Sequence, residues 1–172
     1  MLRTFLRRAL VFYLLTLIVF GFAYFNFGVG YNYGNSPNWV LRLGYEESGF
    51  TLNADWTVNK LWNIYGGVYF GSDLGLIVGP TIYATYDYSA SENAFSVVYG
   101  PVVGFTNKQL SIQIGYLSDF RSIADISDAV FASLRFYIPD PPRMRMKDKL
   151  YVEALYYKGC FKIVIGLLEP YF

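Results

Sequence analysis

The chain has no histidine and a single cysteine, Cys160, in 172 residues. Without histidine it lacks the commonest general base and the commonest metal ligand at neutral pH. One cysteine allows no internal disulfide, and no cluster has the ligand spacing of a zinc site. Cys160 stands beside Gly159 at an expected turn and reads as a plain free thiol. Charge is scarce as well: Asp, Glu, Lys and Arg supply 16% of residues, against about 25% in an ordinary globular protein. The net charge of +1 gives no basic field for nucleic acid. Beyond residue 23 no stretch carries the 3.6-residue period of an amphipathic helix. "GVGYNYG" (28–34) has the glycines of a dinucleotide loop but no helix after it, so that reading fails its own context.

What is present is apolar and aromatic. Hydrophobic residues make up 54% and aromatics 20%, with 17 Tyr and 15 Phe, which excludes a disordered chain. The amino terminus, "MLRTFLRRALVFYLLTLIVFGFAYF", sets Arg3, Arg7 and Arg8 before an apolar run from Ala9 to Phe22. Thr16 and Gly21 are the exceptions in that run, and Gly21 and Ala23 are small residues that suit a cleavage site after Ala23. This is the layout of a secretory signal peptide over residues 1–23, and the run is short for a spanning helix of about 20 residues. Without those three arginines, 11 of the 14 basic residues remain against 13 acidic ones, a net charge near −2.

Residues 24–172 read as one domain of short segments with a period of two, the mark of strands. In "GFTLNADWTVNK" (49–60), Phe50, Leu52, Ala54, Trp56 and Val58 share one parity and Thr51, Asn53, Asp55, Thr57 and Asn59 the other. The pattern recurs in 25–34, 39–46, 61–70, 74–89, 94–105, 109–117, 130–138, 150–157 and 161–172, with turn residues between. The count is ten strands, or eight if the weaker segments near the prolines and the tail merge. Pro80 and Pro101 interrupt strands, where each removes a ladder donor and predicts a bulge.

The polar parity is mostly Gly, Asn, Ser, Thr and Gln, too poor in charge for a soluble surface of about 25–35% charged residues. Large aromatics collect near strand ends on the apolar parity: Trp39, Tyr45, Trp56, Trp62, Phe70, Tyr86, Phe95 and Phe105. Segment lengths approach the roughly 9–11 residues of a tilted membrane-crossing strand. Among sheets, only a closed one pairs every backbone group in hydrocarbon. These features predict an all-β, up-and-down antiparallel transmembrane β-barrel with a lipid-facing aromatic girdle. A soluble ligand-binding barrel, periplasmic or secreted, is the alternative with the faces reversed. On the membrane reading, Arg42, Arg135 and Lys162 share the lumen with Asp55, Asp87 and Glu153, three charges of each sign that must pair.

The chain ends "LLEPYF". A terminal Phe172 after an alternating strand resembles the carboxy-terminal signature of Gram-negative outer-membrane barrel proteins, and the strand run resembles the small 8- to 10-stranded class of them. The resemblance implies outer-membrane localisation, insertion by the barrel assembly machinery, and both termini in the periplasm. It also implies contact with outer-membrane lipid and lipopolysaccharide as a monomer. Phe172 falls on the parity opposite to Ile163, Ile165 and Leu167, so a bulge at Glu169-Pro170 is expected to restore register. Barrel proteases, deacylases and palmitoyl transferases use a His-containing set, which this chain lacks; no enzyme, cofactor or metal is expected. Ser118-Asp119 and Ser127-Asp128 fit turns. Asp119, Asp125 and Asp128 fit a solvated acidic loop rather than a Ca²⁺ site. The leading expectation is a structural, adhesive or envelope protein with a mostly filled polar lumen; the alternative is a narrow, porin-like channel for ions or small solutes.

Overall fold

An alternating strand needs a hydrogen-bonded neighbour on each edge, and the sequence supplies one wherever a tight turn returns the chain beside itself. A computed structural model describes residues 24–34, 37–47, 49–72, 74–89, 94–119, 126–138 and 149–170. The expected signal peptide (1–23), the basic loop 139–148 and Phe172 lie outside the described residues. The strands are β1 (Tyr24–Tyr33), β2 (Asn38–Glu47), β3 (Phe50–Thr57), β4 (Leu61–Val68), β5 (Phe70–Gly71) and β6 (Leu76–Asp87). They continue as β7 (Ala94–Thr106), β8 (Leu110–Tyr116), β9 (Val130–Ile138), β10 (Lys149–Tyr157) and β11 (Cys160–Pro170), with one helical turn, α1 (Ile126–Ala129), before β9.

Consecutive strands pair antiparallel except β4 and β5, which both pair with β6, and β1 pairs with β11. The sheet is therefore closed. β5 continues β4 past Tyr69 along the same edge of β6, so the barrel has ten staves in up-and-down order. The strand ends that lead into the β1–β2, β3–β4, β6–β7, β8–β9 and β10–β11 connections share one rim, here called the far rim. The start of β1, the end of β11 and the other strand ends share the opposite one, the termini rim.

The prolines differ from expectation. Pro80 and Pro101 face each other in a register that runs unbroken from Leu76↔Phe105 to Asp87↔Ala94, so neither forms a bulge. The reason lies in the pairing phase. Tyr99 and Ser118 exchange backbone hydrogen bonds at 3.1 and 3.0 Å, and such pairs alternate along an antiparallel ladder. Pro101, two residues on, turns its missing donor towards β8, and the β7–β8 ladder is interrupted there, between Val102↔Gly115 and the Tyr99↔Ser118 bridge. Pro80 turns the other way, towards Val68, and the ladder is broken there, between Gly67↔Thr81 and Phe70↔Val78. The bulge expected at Glu169-Pro170 is absent too: β1 and β11 pair without a slip to Tyr24↔Pro170.

The interior takes the polar parity. Leu52 and Ile112 are 43% and 36% exposed, while Asn53 between strands β2 and β4 is 2% exposed. A small apolar cluster, including Tyr65, Tyr83, Val102, Leu117, Phe131 and Leu155, fills part of the lumen. Val40, Ala129, Tyr151, Val164 and Leu168 are buried outside that cluster, among polar and charged side chains such as Asn26, Asn53 and Arg42.

Candidate functional site

Cross-strand register builds the site. Arg42 on β2 lies opposite Asp55 on β3, and Glu153 on β10 lies opposite Arg135 on β9. The Arg42 guanidinium grips Asp55 through both carboxylate oxygens, Nε to Oδ1 at 2.7 Å and Nη2 to Oδ2 at 2.9 Å. Its Nη1 donates to Glu153 Oε2 at 2.7 Å, joining the two pairs across the lumen. That reach is open because the row from Arg42 continues through Gly28 on β1 and Gly166 on β11, which project no side chain, to Tyr151 on β10. A Cβ on Gly28 would stand 2.7 Å from a Val164 methyl, and one on Gly166 would collide with the Tyr151 ring.

Glu153 also accepts from Arg135, Nε at 2.8 Å and Nη2 at 2.7 Å, and from Ser133 Oγ at 3.0 Å. Arg135 continues to Glu46 through Nη1. Lys162 Nζ donates to Asp55 Oδ2 at 3.2 Å and to Tyr83 OH at 3.3 Å. Rings complete the cradle: Arg135 stands 4.6 Å from the Tyr151 centroid, Arg42 5.5 Å from Tyr65 and Lys162 5.8 Å from Tyr83. Three cations thus meet three anions, and all but Glu46 are buried. Charge-assisted, bidentate bonding of this kind offsets the desolvation of the ions. Beside it, Asn26 donates to Asn53 at 2.9 Å and accepts from Tyr151.

Five of the six residues selected from the sequence, Arg42, Asp55, Arg135, Glu153 and Lys162, meet in this network. Asp87 does not. It ends β6 at the far rim and accepts from Ser89 N at 2.9 Å and Ser89 Oγ at 2.7 Å, closing a local turn. Parity sets a side chain's face, but height along the strand sets its neighbours. Glu46 takes the sixth place; it shares the polar parity of Arg42 and was legible by that sign. The inward tyrosines Tyr65, Tyr83 and Tyr151 were missed because aromatics were weighed as an exterior feature, although their parity placed them inside.

The eight exterior aromatics form two groups. Trp39, Trp56, Trp62, Tyr86 and Phe95 lie towards the far rim, where Trp56↔Trp62, Trp62↔Tyr86 and Tyr86↔Phe95 are direct cross-strand partners. Tyr45, Phe70 and Phe105 lie towards the termini rim. The Trp56 and Trp62 rings stack at 6.0 Å, and Trp56 Nε1 donates to Tyr88 OH at 3.0 Å. Two recesses flank the ion network inside the barrel: about 310 Å³ at the far rim above Lys162, and about 570 Å³ at the termini rim beside Tyr69 and Gln113. A further space of about 50 Å³ at Tyr65, Arg135 and Glu153 adjoins the termini-rim recess, with Tyr69, Ser111 and Gln113 in both linings. No group of His, Cys, Asp and Glu among the described residues could hold a metal ion.

Comparison with protein families gives no match, and neither does comparison with curated proteins. Among solved structures, the chain is similar to one described as "De novo design of transmembrane beta-barrels", at 14% identity and a TM-score of 0.34, over 88% of this chain and 96% of that one. The strand pairing, not this likeness, establishes the closed ten-stranded barrel.

Proposed function

We propose that the protein is an integral outer-membrane barrel with a structural, adhesive or envelope-stabilising role, its lumen closed by the ion network. The observation that carries this reading is the inverted burial of Leu52 and Ile112 against Asn53. An apolar exterior of this extent suits hydrocarbon, because water imposes a cost of about 25 cal/mol on each Å² of it. Phe95 and Phe105, on the two aromatic groups, are ten residues apart on one strand. That is about 33 Å of strand, or about 25 Å of height at a tilt near 40°, the usual apolar band of a membrane barrel. An apolar furrow of about 600 Å³ between Phe27, Leu43, Trp56, Trp62 and Ile165 gives acyl chains a seat on this face. Residues 1–23 act as a cleaved export signal on this reading. The partners are membrane lipid, lipopolysaccharide and the barrel assembly machinery, with the barrel itself monomeric and without cofactor.

Migration on gels tests the reading. A closed membrane barrel resists detergent until heated, so unheated samples run faster than boiled ones and the protein sediments with membranes. Extraction as a freely soluble monomer without detergent would overturn the assignment.

A further inference from the structure

The far-rim recess has chemistry that a merely filled lumen does not need. Lys162, 1% exposed, forms its floor. An ammonium has three donors, and this one has two long bonds, at 3.2 Å to Asp55 and 3.3 Å to Tyr83 OH. Asp55 is already gripped by both arms of Arg42. Asp55 is shared between Arg42 and Lys162, while Arg42 also holds Glu153, and Arg135 holds Glu153 and Glu46. Lys162, under the far-rim recess, therefore has no carboxylate of its own.

The walls add direction. Thr85 Oγ1 donates to Asn63 Oδ1 at 3.0 Å, which leaves the Asn63 amide N–H groups for the recess. Tyr83 and Tyr157, with ring centroids 4.5 Å apart, supply an aromatic side. At the lip, exposed Lys158 and Asp128 offset each other in charge. About 310 Å³ is small for a ligand pocket but larger than an inorganic ion fills.

We infer that this recess binds a small organic carboxylate, its carboxyl group on Lys162 and Asn63 and its apolar body against Tyr83 and Tyr157. Such a ligand completes the third bond of Lys162 and gives it a carboxylate of its own, while leaving the ion network intact.

The sole cysteine reports on occupancy, because Cys160 lines the same recess. The experiment follows alkylation of Cys160 by the neutral reagent iodoacetamide on the full-length, detergent-folded protein, with benzoate or the isosteric neutral benzamide at matched ionic strength. Benzoate is expected to slow labelling saturably, by about tenfold at ten times its dissociation constant, with benzamide without effect. Asn63→Asp, which sets a like charge beside the carboxylate, is expected to abolish protection while the unheated protein still migrates as a folded barrel. Equal protection by benzamide, no protection up to the solubility limit of benzoate, or undiminished protection in folded N63D would each overturn the site. Since the gel migration reads the barrel and the labelling reads the recess, failure of one is distinguishable from failure of the other.

Discussion

Glu153 shows how much one side chain can hold in a closed lumen. It receives hydrogen bonds from Arg42, Arg135 and Ser133. Glu153→Gln keeps the shape but removes the charge that two guanidiniums share. Breaking a buried ion pair from one side costs about 3–5 kcal/mol, so the variant is expected to unfold at a markedly lower guanidinium concentration in detergent micelles. Glu46→Gln, nearer the rim and more exposed, should lose about 1 kcal/mol or less by the same assay. The tyrosines separate in the opposite sense. Tyr65 OH is buried with no hydrogen-bond partner among the described residues, whereas Tyr83 OH serves Lys162. Tyr65→Phe is therefore expected to be neutral or stabilising and Tyr83→Phe to cost about 1 kcal/mol. A Tyr65→Phe loss as large as that of Tyr83→Phe would show that the hydroxyl has a partner after all.

At the scale of strands and turns, much of the architecture was legible and some of it was not. The turn residues spaced the chain into ten alternating segments, and parity fixed which side of each strand turns inward, because a slip of one residue would reverse every side chain. The facing prolines escaped that reading. Whether a proline needs a bulge depends on which neighbour its missing donor addresses, and that is a property of the partner strand's register. Asp87 escaped for the related reason that height in the barrel comes from stagger between strands. The hairpin β10–β11 gives a test at this scale. Tyr157 pairs with Cys160 across a two-residue turn in which Lys158 and Gly159 have φ of 51° and 70°. Such a turn favours Asn-Gly, since few side chains tolerate positive φ at the first position. Lys158→Asn is expected to stabilise the barrel by about 0.5 kcal/mol, read as a small rise in the same unfolding midpoint. Gly166→Ala should act the other way by about 1–3 kcal/mol, because the added methyl meets the Tyr151 ring that crosses it.

For the whole molecule, the inversion of burial and the balance of lumenal charge are one design. A sheet that presents leucine and isoleucine outward must enclose its polar side chains, and enclosed ions must find one another within a lumen that ten staves leave narrow. The network spans from β2 to β10, and the two recesses share no lining residue. A hydrated ion needs a continuous path through the lumen. The protein reconstituted in planar bilayers is therefore expected to show no resolved current steps across either sign of voltage. The paired exchange Arg42→Asp with Asp55→Arg keeps opposite charges facing on β2 and β3, although it turns like charges towards Glu153 and Lys162, and should remain silent as well, provided that heat-modified migration shows a folded barrel. Steps in the unmodified protein whose ion selectivity reverses in the exchanged variant would instead make the same side chains the lining of a narrow conducting path. The closed-lumen reading would then give way to a channel, with the fold and its inverted surface unchanged.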